Sequence, residues 1–196
     1  MPKEKIIVIL GPTASGKSEL AVKLALRLSS RQAKNKFGIN GAEIISADSR
    51  QVYKELNIGT GKVPRDKIPN SYILNSKSYL YKGIPHHLLD VASPKKVFTT
   101  QDFKKLGQEA MSDIATRKKI PIVCGGTGFY IDALFGAVKI PEVPPDWKLR
   151  KKLEKKSAEE LFLILKKLDP RRTRTIDQKN KRRLIRAIEI VKITKK

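Results

Sequence analysis

Cysteine is nearly absent from this chain of 196 residues: Cys124 stands alone. No internal disulfide is possible, so a packed core must hold the fold, as suits a reducing compartment such as the cytoplasm. No apolar run approaches the roughly 18 residues that suggest a membrane span, and no membrane association is expected. The start, MPKEKIIVIL, carries lysines and a short apolar run but no small-residue cleavage site; it reads as a first strand, not a signal peptide. Histidine is limited to the pair His86-His87. With no cysteine or carboxylate cluster at ligand spacing beside them, a structural or supporting role is expected for both. Acidic residues are also scarce: 19 Asp and Glu face 42 Lys and Arg, leaving +23. That excess favours a polyanionic partner, most often nucleic acid. It is densest at the end, where residues 146–196 carry 19 basic against 7 acidic side chains.

What is present is ordered as alternating strands and helices. Hydrophobic residues make up 40% of the chain, enough for one substantial core and a small appendage. Apolar strands are expected at 6–10, 43–47 and 120–124. Helices are expected at Ser18–Leu28, on a Leu20/Leu24/Leu28 stripe, and at Thr99–Arg117, capped by Thr99 or Thr100. Residues 29–42 read as a polar loop and 62–85 as a long excursion, within which Tyr72, Tyr79 and Tyr81 are expected to serve loop packing, with contact to nucleic acid the alternative. After the proline-rich PEVPPDW come two charged helices, 146–156 and 158–168, a turn at 169–177, and a last amphipathic helix, 178–193. Cys124, at a strand end, reads as a small core residue.

GPTASGKS, residues 11–18, has the spacing of a phosphate loop: Gly11, four residues, Gly16, Lys17, Ser18. It lies between an apolar strand and an amphipathic helix, the context in which loop N–H groups and a helix N-terminus converge on phosphate oxygens. Lys17 adds a mobile charge and Ser18 a hydroxyl for Mg2+. Asp48, ending the second strand in IISADSRQ, suits either a magnesium ligand or a general base. Parallel sheets bind ligands beyond the carboxyl ends of their strands, and the loops at 11–18, 48–51 and 125–128 all occupy that position.

Six blocks in order, GPTASGKS, DSRQVYKELNIGTGK, IPHHLLDV, FTTQDFKK, IPIVCGGTGFYIDAL and NKRRLIRAIEI, closely resemble the tRNA dimethylallyltransferase family over nearly the whole chain. The resemblance implies transfer of a dimethylallyl group from dimethylallyl diphosphate to N6 of the adenine 3′-adjacent to the tRNA anticodon. The implied fold is a three-layer α/β parallel sheet of the P-loop nucleoside triphosphate hydrolase type with a small helical insert. The expected divisions are a core at 1–136, a tRNA-clasping insert at 137–176 and a basic helix returning to the core at 177–196.

Gly11, Pro12, Thr13, Ala14, Ser15, Gly16, Lys17 and Ser18 would hold the diphosphate, or a nucleotide such as ATP, with Mg2+ on Ser18. Asp48 would act as base, with Lys17 and Thr127 also at the reacting centre. Asp48, Ser49, Arg50, Gln51, Thr127, Arg150, Arg182, Arg183 and Arg186 would contact the anticodon arm. A monomer is expected. Members of the family continue for about a hundred residues past the point matching Lys196, a length typical of further core helices, so a C-terminally truncated member is expected. Two alternatives are an inactive tRNA-binding fragment of that family and a P-loop small-molecule kinase with lid arginines at 182, 183 and 186. The kinase does not account for DSRQ together with GGTGFY.

Overall fold

Two apolar strands, β2 (Ala42–Ser46) and β5 (Ile120–Gly125), are buried along their whole length and run side by side in parallel. Full burial explains their continuous apolar sequence, because a strand covered on both faces has no solvent side for polar residues. β1 (Ile7–Leu10) pairs with β5 on its far side, also in parallel. β4 (Ile84–His87) pairs with β2 in parallel, and β3 (Tyr79–Tyr81) closes the edge antiparallel to β4. The order is therefore β1-β5-β2-β4-β3. The computed structural model describes residues 5–67 and 79–194.

Alternate residues of the central strands face opposite layers. Ile44, Ile122 and Cys124 pack with α1 (Lys17–Leu28), whereas Ile45, Ala47 and Val123 pack with α3 (Thr100–Thr116) and α4 (Gly128–Leu134). Helices thus cover both faces of a mostly parallel sheet, the expected α/β class, with one antiparallel edge strand added. Thr99 caps α3 in a full capping box with Asp102. Fully buried Phe103 of α3 stacks on Tyr130 of α4 at 4.2 Å between ring centroids.

Three local expectations are revised. The buried face of α1 is Ala21, Val22 and Ala25, while Leu20 is half exposed and Leu24 and Leu28 lie at the margin. Small side chains let the helix axis approach the sheet, so the larger leucines flank the contact. Residues 29–42 contain α2 (Arg31–Phe37), started by Ser30, whose hydroxyl accepts from the Ala33 N–H at 3.2 Å, and ended by left-handed Gly38. The end of the 62–85 excursion is the β3–β4 hairpin. Its Tyr79 is buried, with the hydroxyl donating to the Val63 carbonyl at 2.5 Å, and Tyr81 packs at the margin of the α1-side core. Tyr72 lies outside the described residues.

The chain divides into two units, Met1–Lys139 and Ile140–Lys196. In the second, α5 (Trp147–Leu153), α6 (Ala158–Leu168), a 3-10 turn (Arg172–Arg174) and α7 (Lys181–Thr194) close on one core of Leu153, Leu161, Leu165, Leu184, Ile185 and Ile188. The division expected after Gly136 falls three residues later. The segment expected to return to the core of residues 1–136, 177–196, instead shares a core with the insert at 137–176, because the apolar stripe of α7 is the surface on which α5 and α6 bury theirs. Among the described residues no helix is long and apolar enough to cross a membrane.

Candidate active site

The loop after β1 is shaped by two left-handed residues, Ala14 at φ 65° and Gly16 at φ 77°. Gly16 is the N-cap of α1 and supplies no capping side chain, so the first N–H groups of the helix remain available to an acceptor. Lys17 Nζ folds back to donate to the Pro12 carbonyl at 2.7 Å, which keeps its charge over the loop. Ser18 follows in the first turn of α1, beside a small cavity whose lining includes Ser46, Gln51, His86 and Cys124. Cys124 is buried there, with Sγ 3.5 Å from the Lys17 carbonyl; burial pushes its thiol up to about 11, against a smaller opposing pull from Lys17. That is the environment of an inert core thiol.

Asp48 lies just past the end of β2. Its Oδ1 accepts from the N–H groups of Arg50 at 2.8 Å and Gln51 at 3.3 Å, a turn that fixes the carboxylate and leaves Oδ2 without a hydrogen bond among the described residues. The strip is tied sideways to the loop after β5: the Ser49 N–H donates to Thr127 Oγ1 at 3.1 Å, and the Thr127 N–H donates to the Ala47 carbonyl at 3.1 Å. These two bonds bracket Asp48 between its neighbours. The approach is so close that a Cβ on Gly125 would lie 2.1 Å from the Ala47 oxygen, a position only glycine can occupy. One on Gly126 would lie 3.4 Å from the Gly11 carbonyl, which places the third loop against the first. The carboxyl ends of β1, β5 and β2 thus bring together residues 11–18, 48–51 and Thr127.

The rest of the strip is held from below. Gln51 accepts from Ser46 Oγ at 3.0 Å and donates to the Thr60 carbonyl at 3.0 Å. Lys62, its side chain only 2% exposed, donates to the Tyr53 carbonyl at 2.6 Å, Asn57 Oδ1 at 3.3 Å and Asp90 Oδ1 at 2.5 Å. Sequence reading missed this buried lysine; nothing in NIGTGK distinguishes it from the surface lysines around it.

His86 is buried, with Nδ1 2.9 Å from the Ile84 carbonyl, and burial lowers its pKa. His87 Nε2 lies 2.7 Å from Glu43 Oε2. Glu43, on β2 and 1% exposed, also binds Arg117 and Lys119. Burial alone would raise its carboxyl, but the hydrogen bonds from His87, Arg117 and Lys119 outweigh it and hold the group well below the usual carboxylate range. An acid inside the apolar run AEIIS was the available sign of such a partnered charge.

The four remaining candidates belong to the second unit. Arg150 donates through Nε and Nη2 to Glu189 at 2.8 and 2.7 Å, and Arg186 donates to Glu189 and to the Val143 carbonyl. Glu189 is fully buried; burial would raise it, but these arginines and the Asp146 N–H bring it down to about 2. Both arginines are therefore committed to an internal charge. Arg182 and Arg183 are exposed on α7 and make no ion pair among the described residues.

Among the described residues no group of three or more His, Cys, Asp or Glu could hold a metal. The donor set does fit Mg2+, which prefers one or two protein oxygens together with substrate phosphates over an all-protein cage. Ser18, in the first turn of α1, is a hydroxyl compatible with that mode of binding.

A phosphate loop between the first parallel strand and its helix, with an aspartate and a threonine on the neighbouring strand ends, defines a P-loop α/β protein of the nucleoside triphosphate hydrolase type. A family model described as IPP transferase matches residues 51–196, and one described as Isopentenyl transferase matches residues 4–80. The chain belongs to the IPP transferase family. It is 39% identical over 193 residues to the tRNA dimethylallyltransferase of Anoxybacillus flavithermus, covering 98% of this chain and 54% of that protein. It is 41% identical over 185 residues to tRNA dimethylallyltransferase 2 of Trichlorobacter lovleyi, covering 94% and 52%. Among solved structures, it matches the full-length tRNA isopentenylpyrophosphate transferase of Bacillus halodurans with a TM-score of 0.54 and 35% identity, covering 98% of this chain and 56% of that one. It also matches a eukaryotic dimethylallyltransferase, caught acting on tRNA, with a TM-score of 0.69 and 31% identity, covering 98% and 42%. The chain spans about half the length of the curated relatives it matches.

Proposed function

We propose that this chain takes part in transferring a dimethylallyl group from dimethylallyl diphosphate to N6 of the adenine 3′-adjacent to the anticodon of a tRNA. The observation that carries this reading is the bracketed strip: Asp48, its Oδ2 without a hydrogen bond among the described residues, is tied through Ser49 and Ala47 to Thr127 beside the phosphate loop. It suits a reaction that holds a diphosphate on one side and takes a proton on the other. The names of the relatives support the same chemistry.

An allylic C–O bond breaks with its electron pair going to the departing diphosphate. The N–H groups of the loop and the ammonium of Lys17 stabilise the charge that develops there. Mg2+, held on Ser18, would add charge neutralisation at the diphosphate. Adenine N6 forms the new bond to carbon and gives up a proton, for which the Asp48 carboxylate is the acceptor. To reach such a site the adenine leaves its stack. Thr127 holds the Asp48 strip in register through its hydroxyl. We further propose that the protein works in the cytoplasm as a monomer.

The test is transfer of radiolabel from dimethylallyl diphosphate to an unmodified tRNA whose anticodon is followed by adenine, with Mg2+. An Asp48→Ala protein and a tRNA lacking that adenine serve as controls. Label that needs both the aspartate and the adenine supports the reading. No label from a chain that binds both ligands makes these residues a binding unit only. ATP bound in place of the diphosphate overturns the reading in favour of a kinase.

A further inference from the structure

We propose that Ile58, at the tip of the loop between Lys54 and Lys62, is an apolar wedge that enters the RNA stack beside the target adenine and fills the place that base vacates. The proposal rests on the transfer reading above and adds a residue that reading does not use.

Single apolar side chains scattered over a surface need no explanation. Ile58 differs from them in degree and in setting. It is 98% exposed; among the described residues the next most exposed large apolar side chain is Val97, at 71%. An isoleucine this bare packs on almost nothing in its own chain, so it adds almost no burial to the fold. The space beside it is open as well: a Cβ on neighbouring Gly59 would meet no atom within 4 Å.

The setting is a loop held on both sides. At its start the Lys54 N–H donates to the Ala92 carbonyl at 2.9 Å, and Tyr53 bridges Ala92 in parallel. At its end the buried Lys62 ammonium ties the Tyr53 carbonyl, Asn57 and Asp90 together. Across the neck, Thr60 Oγ1 donates to the Leu56 carbonyl at 2.7 Å. Three left-handed residues turn the chain: Glu55 at φ 66°, Gly59 at φ 76° and Gly61 at φ 65°. Glu55 is not a glycine, so its conformation is kept against a steric cost, as at sites where the surrounding structure over-determines the backbone. A bare isoleucine on a loop ordered in advance suits a contact made with a partner, because less entropy is then lost on association.

Position identifies the partner. Gln51 donates its backbone N–H to Asp48 Oδ1 at 3.3 Å and its side-chain amide to the Thr60 carbonyl at 3.0 Å. One residue thus joins the turn that orients Asp48 to the loop that carries Ile58. Thr60 is two residues from the tip, at most about 7 Å of chain. The group that must arrive at Asp48 is an adenine drawn out of its stack. The withdrawn base leaves a gap between its neighbours, and branched apolar side chains, isoleucine among them, are what proteins insert between bases. With no charge and no hydrogen-bonding group, the side chain of Ile58 has nothing to offer a phosphate and meets the RNA through the apolar faces of its bases.

The experiment titrates the chain, with Mg2+ and inorganic diphosphate, into an anticodon stem-loop RNA carrying 2-aminopurine in place of the target adenine. The fluorescence of that base rises when it leaves its stack. Wild type is compared with Ile58→Ser, Ile58→Val and Phe37→Ser. Phe37, 54% exposed at the end of α2, lies beside Lys5 and Ile120 at the opposite ends of the strands and serves as the apolar control. Ile58→Ser is expected to lose most of the fluorescence rise and to bind the RNA about ten- to hundredfold more weakly, as for an isoleucine no longer buried in the complex. Ile58→Val, one methylene smaller, should keep the rise and stay within about fourfold of wild type. Phe37→Ser should match wild type in both. Melting temperature and diphosphate affinity should not change in the Ile58 variants, because the side chain is bare in the free protein. A full rise with Ile58→Ser, an equal loss with Phe37→Ser, a lowered melting temperature of Ile58→Ser, or a wild type that binds the RNA without any rise overturns the inference and leaves the transfer reading intact. A wild type that binds diphosphate but no RNA overturns both.

Discussion

β2 and the residues just past it carry two carboxylates five positions apart, in opposite settings. Glu43 enters β2 and is buried under Arg117 and Lys119, both from the turn between α3 and β5, and His87 of β4. Asp48 leaves the same strand half-buried, held on one oxygen by two backbone N–H groups and without a hydrogen bond on the other among the described residues. Glu43 is fully committed and therefore inert; it fastens β2 to β4 and to the end of α3. Asp48 is oriented without being neutralised, which is what a proton acceptor needs. Glu189 repeats the Glu43 device in the second unit, with arginines as partners. Neutralisation by cations marks the two structural carboxylates here, and its lack of a cation partner among the described residues sets Asp48 apart from them.

The sharpest way to break this contrast is at Asp48. Asp48→Asn keeps the size and loses the base, and is expected to cut prenyl transfer by about 10²–10⁴-fold with diphosphate binding unchanged; near-normal turnover would end its assignment. Next is Glu43→Gln, which removes the shared acceptor of Arg117, Lys119 and His87 and is expected to destabilise the first unit by roughly 1–3 kcal/mol in urea unfolding.

A pH series sharpens the comparison between the two buried acids. Glu189 titrates at about 2 in the fold and near 4.5 when free, so its stabilisation is fully present above the free value and is lost as pH falls toward about 2. Wild type and Glu189→Gln should therefore differ most above 4.5 and converge toward pH 2 in acid-unfolding curves. The smallest effect belongs to an exposed carboxylate arrangement, the Thr99–Asp102 box at the start of α3. Thr99→Ala should lower stability by about 1 kcal/mol, measured as a small shift in the urea midpoint.

Much of the fold was legible because buried strands and amphipathic helices write their periodicity directly. The strands at 6–10, 43–47 and 120–124, the Thr99 cap and the phosphate loop all came from local pattern. α2 was not, since RQAKNKF has no apolar stripe and only its caps mark it. The β3–β4 hairpin was hidden because short edge strands carry little pattern. At the site, the loop and Asp48 were readable from spacing, and Thr127 from the family blocks. The roles of Glu43, Lys62 and Glu189 were not, because a charge reveals its partner only after the chain has folded. For the same reason Arg150 and Arg186 looked like Arg182 and Arg183 in the sequence, although the fold gives one pair an internal acid and leaves the other to solvent.

The contact between Gly125 and the Ala47 carbonyl has a consequence for how such a site changes over generations. With the two loops in backbone contact and cross-linked through Ser49 and Thr127, neither can gain or lose a residue alone without displacing the other. Lengthening should be absorbed elsewhere, in stretches such as 29–41, which join elements without touching that contact. The chemistry is in this sense inherited as a block, while the connecting loops are free to drift around it.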